Sequence, residues 1–557
     1  MRMLVSVLCS AVFALAGPLH AADDARTAAI ASAHVLATEA GFAVLAEGGN
    51  AFDAAVAVAA TLSVVEPQSS GIGGGGLFLL RRASDGSEVL IDARETAPAA
   101  VDPKDYLDAD GKPDRDHAVN GPLAAAIPGE PAGLVLIARE YGRLPLARSL
   151  APAIRIAREG FQPDSQFLGA IARRKEVLRR WPASANLYLV DGEAPKAGWT
   201  FRSPDLARTL ELLADKGFDG FYRGEVARRL VDGVRAAGGR WTREDLARYE
   251  AKKRDPLVLD YRGWRIVTAP PPSSGGVALA EMLNILGGYD LPALGRVERI
   301  HLAVEAMRRA YRDRAQYMGD PDFVEMPIAM LTSRDYAAGL RASIHPRKAT
   351  PSALLPGYMQ KPQGEHTTHF SIMDADGNLV SGTQTVNLGL GSAFVAAGTG
   401  FVLNNEMDDF ALVPGAPNAF GLLGNENNAP RPGSRPLSSM TPSFVIGADR
   451  IGVIGTPGGS RIITMVLEGI LAFVEGASPA EIVALPRFHH QYEPDVISAE
   501  KGAFAADEIR ALEAMGHKVS ESERRWGFMN VVARNVRSGR MEAASDPRGA
   551  SGSGEVR

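Results

Sequence analysis

The sequence predicts an α/β protein, on three observations. Residues 145–345 carry a mainly helical pattern, broken at proline and glycine. From Thr367 onward the character changes, and short runs rich in threonine, valine and phenylalanine read as strands. A single strongly periodic helix, over 460–475, then follows a buried strand directly. The chain has 557 residues, 46% hydrophobic and 22% charged, enough to bury a large core.

Residues 1–21 read as a secretory signal. Arg2 supplies the positive start, 3–16 an apolar run, and Leu19-His20-Ala21 a small residue before a cut. That run is short for a bilayer span and Gly17-Pro18 breaks it; no later stretch is apolar for long enough. The mature protein is therefore expected to be periplasmic or secreted, with no membrane span. The only cysteine, Cys9, lies inside this segment. A mature chain without thiols has no disulfide, cysteine nucleophile or cysteine-held metal. A net charge of -5 with no block of like charges argues against a nucleic-acid partner.

Residues 34–66 read as two helices, the first ending at Gly48-Gly49 and the second capped by Asn50. Residues 77–82 and 89–92 read as strands joined by a Ser84-Asp85-Gly86 turn. The proline- and glycine-punctuated stretch 346–365 reads as an exposed linker, and it ends at the change of character.

Two β-like runs, 368–373 and 379–387, flank Asp374-Ala375-Asp376-Gly377-Asn378, a strong hairpin turn. A turn centred on Asp376 sets Thr367 opposite Thr385, and opposed residues project to one face. A threonine hydroxyl is a weak nucleophile without a base. Its own α-amine, freed by chain cleavage, can be that base, with a second hydroxyl holding the amine in place. The plainer reading is that threonines favour strands.

Residues 451–454 read as a buried strand running into Gly455-Thr456-Pro457-Gly458-Gly459-Ser460-Arg461 and a helix. There Ile463, Val466, Leu467, Ile470, Leu471 and Val474 share one face. Gly458 and Gly459 thus sit at a helix N-terminus, where N–H groups lack partners and an oxyanion can approach closely; alternatively they only make the turn. Three clusters carry recognition chemistry. Asn404-Asn405-Glu406-Met407-Asp408-Asp409, read as ending a strand, offers carboxylates to an ammonium. Arg435-Pro436-Leu437-Ser438-Ser439 offers hydroxyls, and Asp92-Ala93-Arg94-Glu95 a guanidinium at a strand end. Hydroxyls with arginine suit a carboxylate, so both sets together recognise an α-amino-acid head group. Singly, each is more often a cap, turn or surface ion pair. The long loop 414–436 between two of the clusters is a natural lid.

His366-Thr367-Thr368-His369 and His489-His490 lack a matching helical ligand motif, so His489 and His490 are read as structural and no metal is expected. The glycine run 73–76 precedes a strand and lacks a following lysine, so it is no phosphate cradle. No cofactor is expected.

Together these residues resemble the γ-glutamyltransferase (glutathione hydrolase) family. The likeness runs through Glu47-Gly48-Gly49-Asn50-Ala51, Arg94-Glu95-Thr96-Ala97-Pro98 and Ala157-Arg158-Glu159-Gly160-Phe161. It continues through Thr367-Thr368-His369, 403–410, 435–440 and 455–463, then Pro486-Arg487-Phe488-His489-His490-Gln491 and Ala544-Ser545-Asp546-Pro547-Arg548. The resemblance implies a four-layer αββα sandwich of the N-terminal-nucleophile hydrolase type. It implies self-cleavage between His366 and Thr367 into a large subunit, 22–366, and a small one, 367–557, that stay associated. Thr367 would be the nucleophile and Thr385 its support. Arg94, Ser438 and Ser439 would bind the α-carboxylate; Asn387, Glu406 and Asp409 the α-amine; Gly458 and Gly459 the oxyanion. The substrates would be glutathione and other γ-glutamyl compounds, with water, amino acids or dipeptides as acceptors.

Departures fall at Phe420, where many bacterial members have a lid tyrosine that latches to Asn387, and at His366. Glu406 stands where some relatives carry glutamine. Two rival readings are an acylase on the same scaffold, removing glutaryl-like groups from β-lactams, and an inactive, uncleaved binding protein. The ammonium-binding set argues against the first, the intact Thr367, Thr385, Gly458 and Gly459 against the second.

Overall fold

The computed structural model describes residues 27–355, 367–413, 418–422 and 424–557. The signal segment 1–21, His366, residues 356–365 and the lid residues 414–417 lie outside them.

Six strands precede residue 356: β1 (Ala29–Ser32), β2 (Gly75–Arg81), β3 (Glu88–Ala93), β4 (Lys252–Arg254), β5 (Leu257–Tyr261) and β6 (Trp264–Thr268). After it come β7 (Thr368–Met373), β8 (Leu379–Thr385), β9 (Ser443–Ile446) and β10 (Arg450–Gly455), then β11 (Phe488–His489), β12 (Ile497–Glu500) and β13 (Val519–Ser522). The last three are β14 (Asn530–Asn535), β15 (Met541–Ser545) and β16 (Ser553–Val556). One antiparallel sheet has the order β16-β1-β7-β8-β2-β3-β4 and a second β15-β14-β10-β9-β6-β5; β11 to β13 form a small third. Both large sheets draw strands from either side of 356–366. In the first, β7 lies between β1 and β8, and β8 pairs in turn with β2. The two parts of the chain thus share one hydrogen-bonded sheet.

The sheets face each other, with β7 and β8 against β10 and β14. Odd residues of β7 point between them. His369 shares hydrogen bonds with the Thr383 hydroxyl at 2.8 Å and the Ser371 hydroxyl at 3.1 Å, and Ser371 Oγ donates to the Asn530 carbonyl at 2.9 Å. Burial pushes His369 down to about 3, so it is a neutral histidine that stitches the sheets.

Helices cover both outer faces. On the first sheet lie α1 (Val35–Ala46), α2 (Ala51–Val65) and α3 (Glu130–Tyr141), with α4 (Leu146–Glu159) packed on α2 and α5 (Ser165–Leu178) beyond. On the second lie α6 (Gly275–Leu286), backed by α7 (Arg296–Tyr317), and α8 (Ile462–Val474). This is the expected four-layer αββα sandwich. Asn50 caps α2 as expected, its Oδ1 accepting from Phe52 N at 2.9 Å while Asp53 accepts from Asn50 N at 3.0 Å. Every residue of α2 is buried, and its alanines let it lie flat on β7 and β8. In α8, Ile463, Val466, Leu467 and Ile470 are fully buried; each contributes roughly 2 kcal/mol of burial.

The region 145–345 is mainly helical, as expected, although β4 to β6 interrupt it; two other expectations are corrected. β5 and β6 form a hairpin whose turn places Arg262 and Gly263 at φ 53° and 82°. The linker is not exposed throughout: Ser352 is fully buried, its N–H donating to Asp495 at 2.8 Å and its hydroxyl to the Tyr492 carbonyl at 2.6 Å. The acidic cluster 404–409 follows an isolated bridge at Val402, not a strand, and Glu406–Asp409 is a 3-10 turn.

Candidate active site

The hairpin register places Thr367. Thr368 pairs with Gln384, so the preceding Thr367 faces Thr385, as expected from the turn. Their hydroxyl oxygens are 3.3 Å apart, and Thr385 Oγ1 also accepts from Asn387 N at 2.8 Å. Asn387 takes φ 74°, and its side-chain amide donates to the Asn405 carbonyl at 2.9 Å. Thr367 is 5% exposed.

Gly458 and Gly459 follow β10 and lead into α8 through a 3-10 turn, Gly459–Arg461. Their φ values, 143° and 57°, are ones that side chains rarely tolerate. A Cβ on Gly459 would stand 2.4 Å from the Phe420 ring. Gly459→Ala is therefore expected to displace Phe420 and the Gly459 N–H. A fall in kcat of about 10²-fold, measured by steady-state kinetics with the overall fold retained, is the expected outcome.

The three recognition clusters meet, though not as separate holders of opposite charges. Arg94 is buried at the end of β3, with Nη1 2.8 Å from Glu406 and Nη2 2.6 Å from Asp409. Nη1 also lies 3.4 Å from Glu95, and Nε donates to the Pro436 carbonyl at 3.1 Å. Burial opposes the arginine's charge, but the three carboxylates outweigh it and hold its pKa above the usual range. Burial pushes Glu406 well up, against the pull of Arg94, and Glu95 up to about 7. The Arg94–Glu406 contact is an ion pair by distance only: neither Glu406 oxygen receives an aligned hydrogen bond. A buried carboxylate with open acceptor positions suits an ammonium.

Ser438 and Ser439 line the same pocket, and Ser274 Oγ donates to the Ser438 carbonyl at 2.8 Å. Sequence reasoning missed Arg314. This buried arginine of α7 also lines the pocket, donates from Nε to Ser274 Oγ at 2.9 Å, and has no carboxylate at ion-pair distance among the described residues. Burial lowers its pKa to about 10. It sits in an arginine-rich helix whose pattern does not single it out.

The pocket joining Thr367, Thr385, Asn387, Glu406 and Ser438 has a volume of about 20 Å³, room for one water. Phe420 and Leu422 close it. The cover is held from 418–422. Asn418 Nδ2 donates to Asp409 at 3.1 Å, Ala419 N to Asp408 at 2.7 Å, and Gln491 Nε2 to the Phe420 carbonyl at 3.3 Å. With phenylalanine at position 420, the side chain of Asn418 and the backbone hold the cover instead. Thr367 and Gly458 also border an open cleft of about 700 Å³.

His489 and His490 are buried in hydrogen bonds to Thr464, Gln491 and Tyr492. Elsewhere His301, Glu305 and His517 cluster as metal ligands would. The two histidines hydrogen-bond each other at 2.8 Å, and Arg309 and Arg308 hold Glu305 at 2.7 and 3.5 Å. Two guanidinium groups there oppose a cation.

A layered sandwich with a hydroxyl at the head of a central strand, beside N–H groups at a helix start, defines an N-terminal-nucleophile hydrolase. The family model described as Gamma-glutamyltranspeptidase matches residues 37–556. The glutathione hydrolase proenzyme of Escherichia coli (strain K12) is 40% identical over 530 residues, covering 94% of this chain and 91% of that protein. Cephalosporin acylase from Bacillus halodurans superposes with a TM-score of 0.82 at 28% identity, covering 95% of each chain. A chain of Helicobacter pylori γ-glutamyltranspeptidase is 38% identical with a TM-score of 0.57, covering 58% of this chain and 93% of that one. This chain belongs to the γ-glutamyltranspeptidase family.

Proposed function

We propose that this chain, once exported, cuts itself between His366 and Thr367 and then takes γ-glutamyl groups from glutathione and similar amides. Water or an amino acid or peptide amine receives the group. The observation that carries this reading is the position of Thr367. It stands beside Thr385, next to Gly458 and Gly459, at the mouth of a closed pocket lined by carboxylates, arginines and serines.

The head group fills that pocket. Glu406, Asp409 and Asn387 take its ammonium; Arg94, Ser438 and Ser439 take its carboxylate, and Arg314 adds positive charge at the same end. The α-amine of Thr367 accepts the hydroxyl proton as Oγ attacks the γ-carbonyl carbon. The N–H groups at Gly458 and Gly459 stabilise the oxyanion. As it collapses, the amine leaves with that proton and a γ-glutamyl ester remains on Thr367, which water or a second amine then cleaves. Because the pocket holds only about 20 Å³, the cover at 418–422 shifts to admit the head group.

Paired γ-glutamyl and glutaryl anilides test the substrate class. The glutaryl compound lacks the ammonium and leaves Glu406 and Asp409 without their partner. The γ-glutamyl anilide is expected to have a kcat/KM higher by about 10²-fold or more. Preference for the glutaryl compound would place the chain with the acylases instead.

A further inference from the structure

Gln491 stands two residues after β11, buried, with both ends of its amide engaged. Its Nε2 donates to the Phe420 carbonyl at 3.3 Å and the Gly421 carbonyl at 3.4 Å. Its Oε1 accepts from Ser460 Oγ at 2.8 Å and lies 2.9 Å from His489 Nε2. The amide's orientation is forced, because the two carbonyls can only accept. Burial holds His489 well below its usual range, so the ring is neutral and its one proton sits on Nε2, toward Gln491.

These bonds tie the cover to the glycine loop at the head of α8. Phe420 and Gly421 belong to the cover. Ser460 follows Gly459 directly in the 3-10 turn, and its carbonyl accepts from the Tyr311 hydroxyl of α7. The Phe420 ring also packs on Gly459, where a Cβ would not fit. Two glycines at φ 143° and 57° have no side chains to fix them, so the aim of their N–H groups depends on what holds the next residue. Gln491 itself lies behind the pocket wall rather than on it.

We propose that Gln491 is a positioning residue that couples the cover to the oxyanion loop. When 418–422 closes over a head group, the amide is held by the Phe420 and Gly421 carbonyls, and it fixes Ser460 and the aim of the Gly459 N–H. When the cover opens, that hold is lost and the loop loosens. A head group that closes the cover thereby raises the rate of acylation as well as its own binding. The inference rests on the γ-glutamyl reading above.

Single-turnover release of aniline from a γ-glutamyl anilide, with enzyme in excess, measures acylation, and hydrogen exchange of the 418–422 amides measures the cover. Gln491→Leu is expected to slow acylation about tenfold, less than outright loss of an oxyanion donor. Ser460→Ala keeps every bond between Gln491 and the cover, yet it too is expected to slow acylation and to speed exchange at 418–422, because coupling is reciprocal. The double variant is expected to be no slower than Gln491→Leu alone. Gln491→Glu separates positioning from folding. Protonated, it donates to the cover carbonyls as the amide does; ionised, it only accepts. Its acylation rate relative to the unmodified enzyme should therefore fall as pH rises, whereas the ratio for Gln491→Leu stays flat. The titratable groups around the amide do not supply that limb. Burial holds His489 well down and His490 down to about 4, raises Tyr311, and leaves Arg461 at about 10. Full acylation in Gln491→Leu, additive losses in the double variant, or a flat ratio for Gln491→Glu overturns the coupling and leaves the γ-glutamyl reading standing. An unmodified enzyme that releases no aniline removes both.

Discussion

Thr367→Ala is expected to leave a single uncut polypeptide and to lower γ-glutamyl anilide turnover by about four orders of magnitude or more. The size follows from geometry. On the proposed mechanism Thr367 is the hydroxyl that both reactions need, and its neighbour Thr385, 3.3 Å away, cannot replace it because Thr385 ends a strand within the chain and has no free amine. The fold is expected to persist, since β7 begins at Thr368 and keeps its pairing with β1 and β8. Denaturing gels and steady-state rates on the same preparation read both effects. Thr385→Val is the milder companion, keeping shape while removing the hydroxyl beside Thr367.

Arg94→Ala is expected to have the next largest effect, on stability and activity together. Removing the guanidinium leaves Glu95 and Glu406 buried, and Asp409 partly buried, without their cation, and the Pro436 carbonyl without its donor. Breaking such a pair from one side costs about 3–5 kcal/mol. Loss of the carboxylate partner should lower kcat/KM by about 10³-fold. The destabilisation has a sign with pH. Glu95 and Glu406 already have folded pKa values raised above their unfolded ones, Glu95 to about 7, and without Arg94 nothing offsets their burial. Their contribution to stability is then greatest below the ordinary carboxylate range, about 4, and is lost as pH rises through 7 and beyond. Urea melts from acid to neutral pH measure this. Arg94→Lys keeps the charge but not the fork and should fall between.

What the sequence made legible was local. The turn Asp374-Ala375-Asp376-Gly377-Asn378 fixes a register, and a register fixes which threonines meet. The spacing of α8 marks the helix start at which Gly458 and Gly459 lie, and Asn50 signals its own cap. What stayed hidden depends on contacts between distant segments. Residues 92–95, 404–409 and 435–439 each announce their chemistry, but only the folded chain reveals that Arg94 is neutralised by Glu406 and Asp409 while it waits. Arg314 is one arginine among several on α7, and its lack of a carboxylate partner is a property of the packed pocket. The β5–β6 hairpin was lost because Leu257–Tyr261 is half exposed and its short alternation sits among helices. The length of the loop 414–436 marks a cover, but not that Asn418 and the Ala419 N–H hold it.

On the proposed mechanism, Thr367 becomes a chain terminus and carries the acyl group. Intact-mass spectrometry of the purified protein, before and after acid quenching with a γ-glutamyl substrate, tests it most directly. The expected result is a small polypeptide beginning at Thr367 with a free amine, gaining one γ-glutamyl group on quenching. An uncut chain that still turns the substrate over, or an acyl group on any other residue, would contradict it.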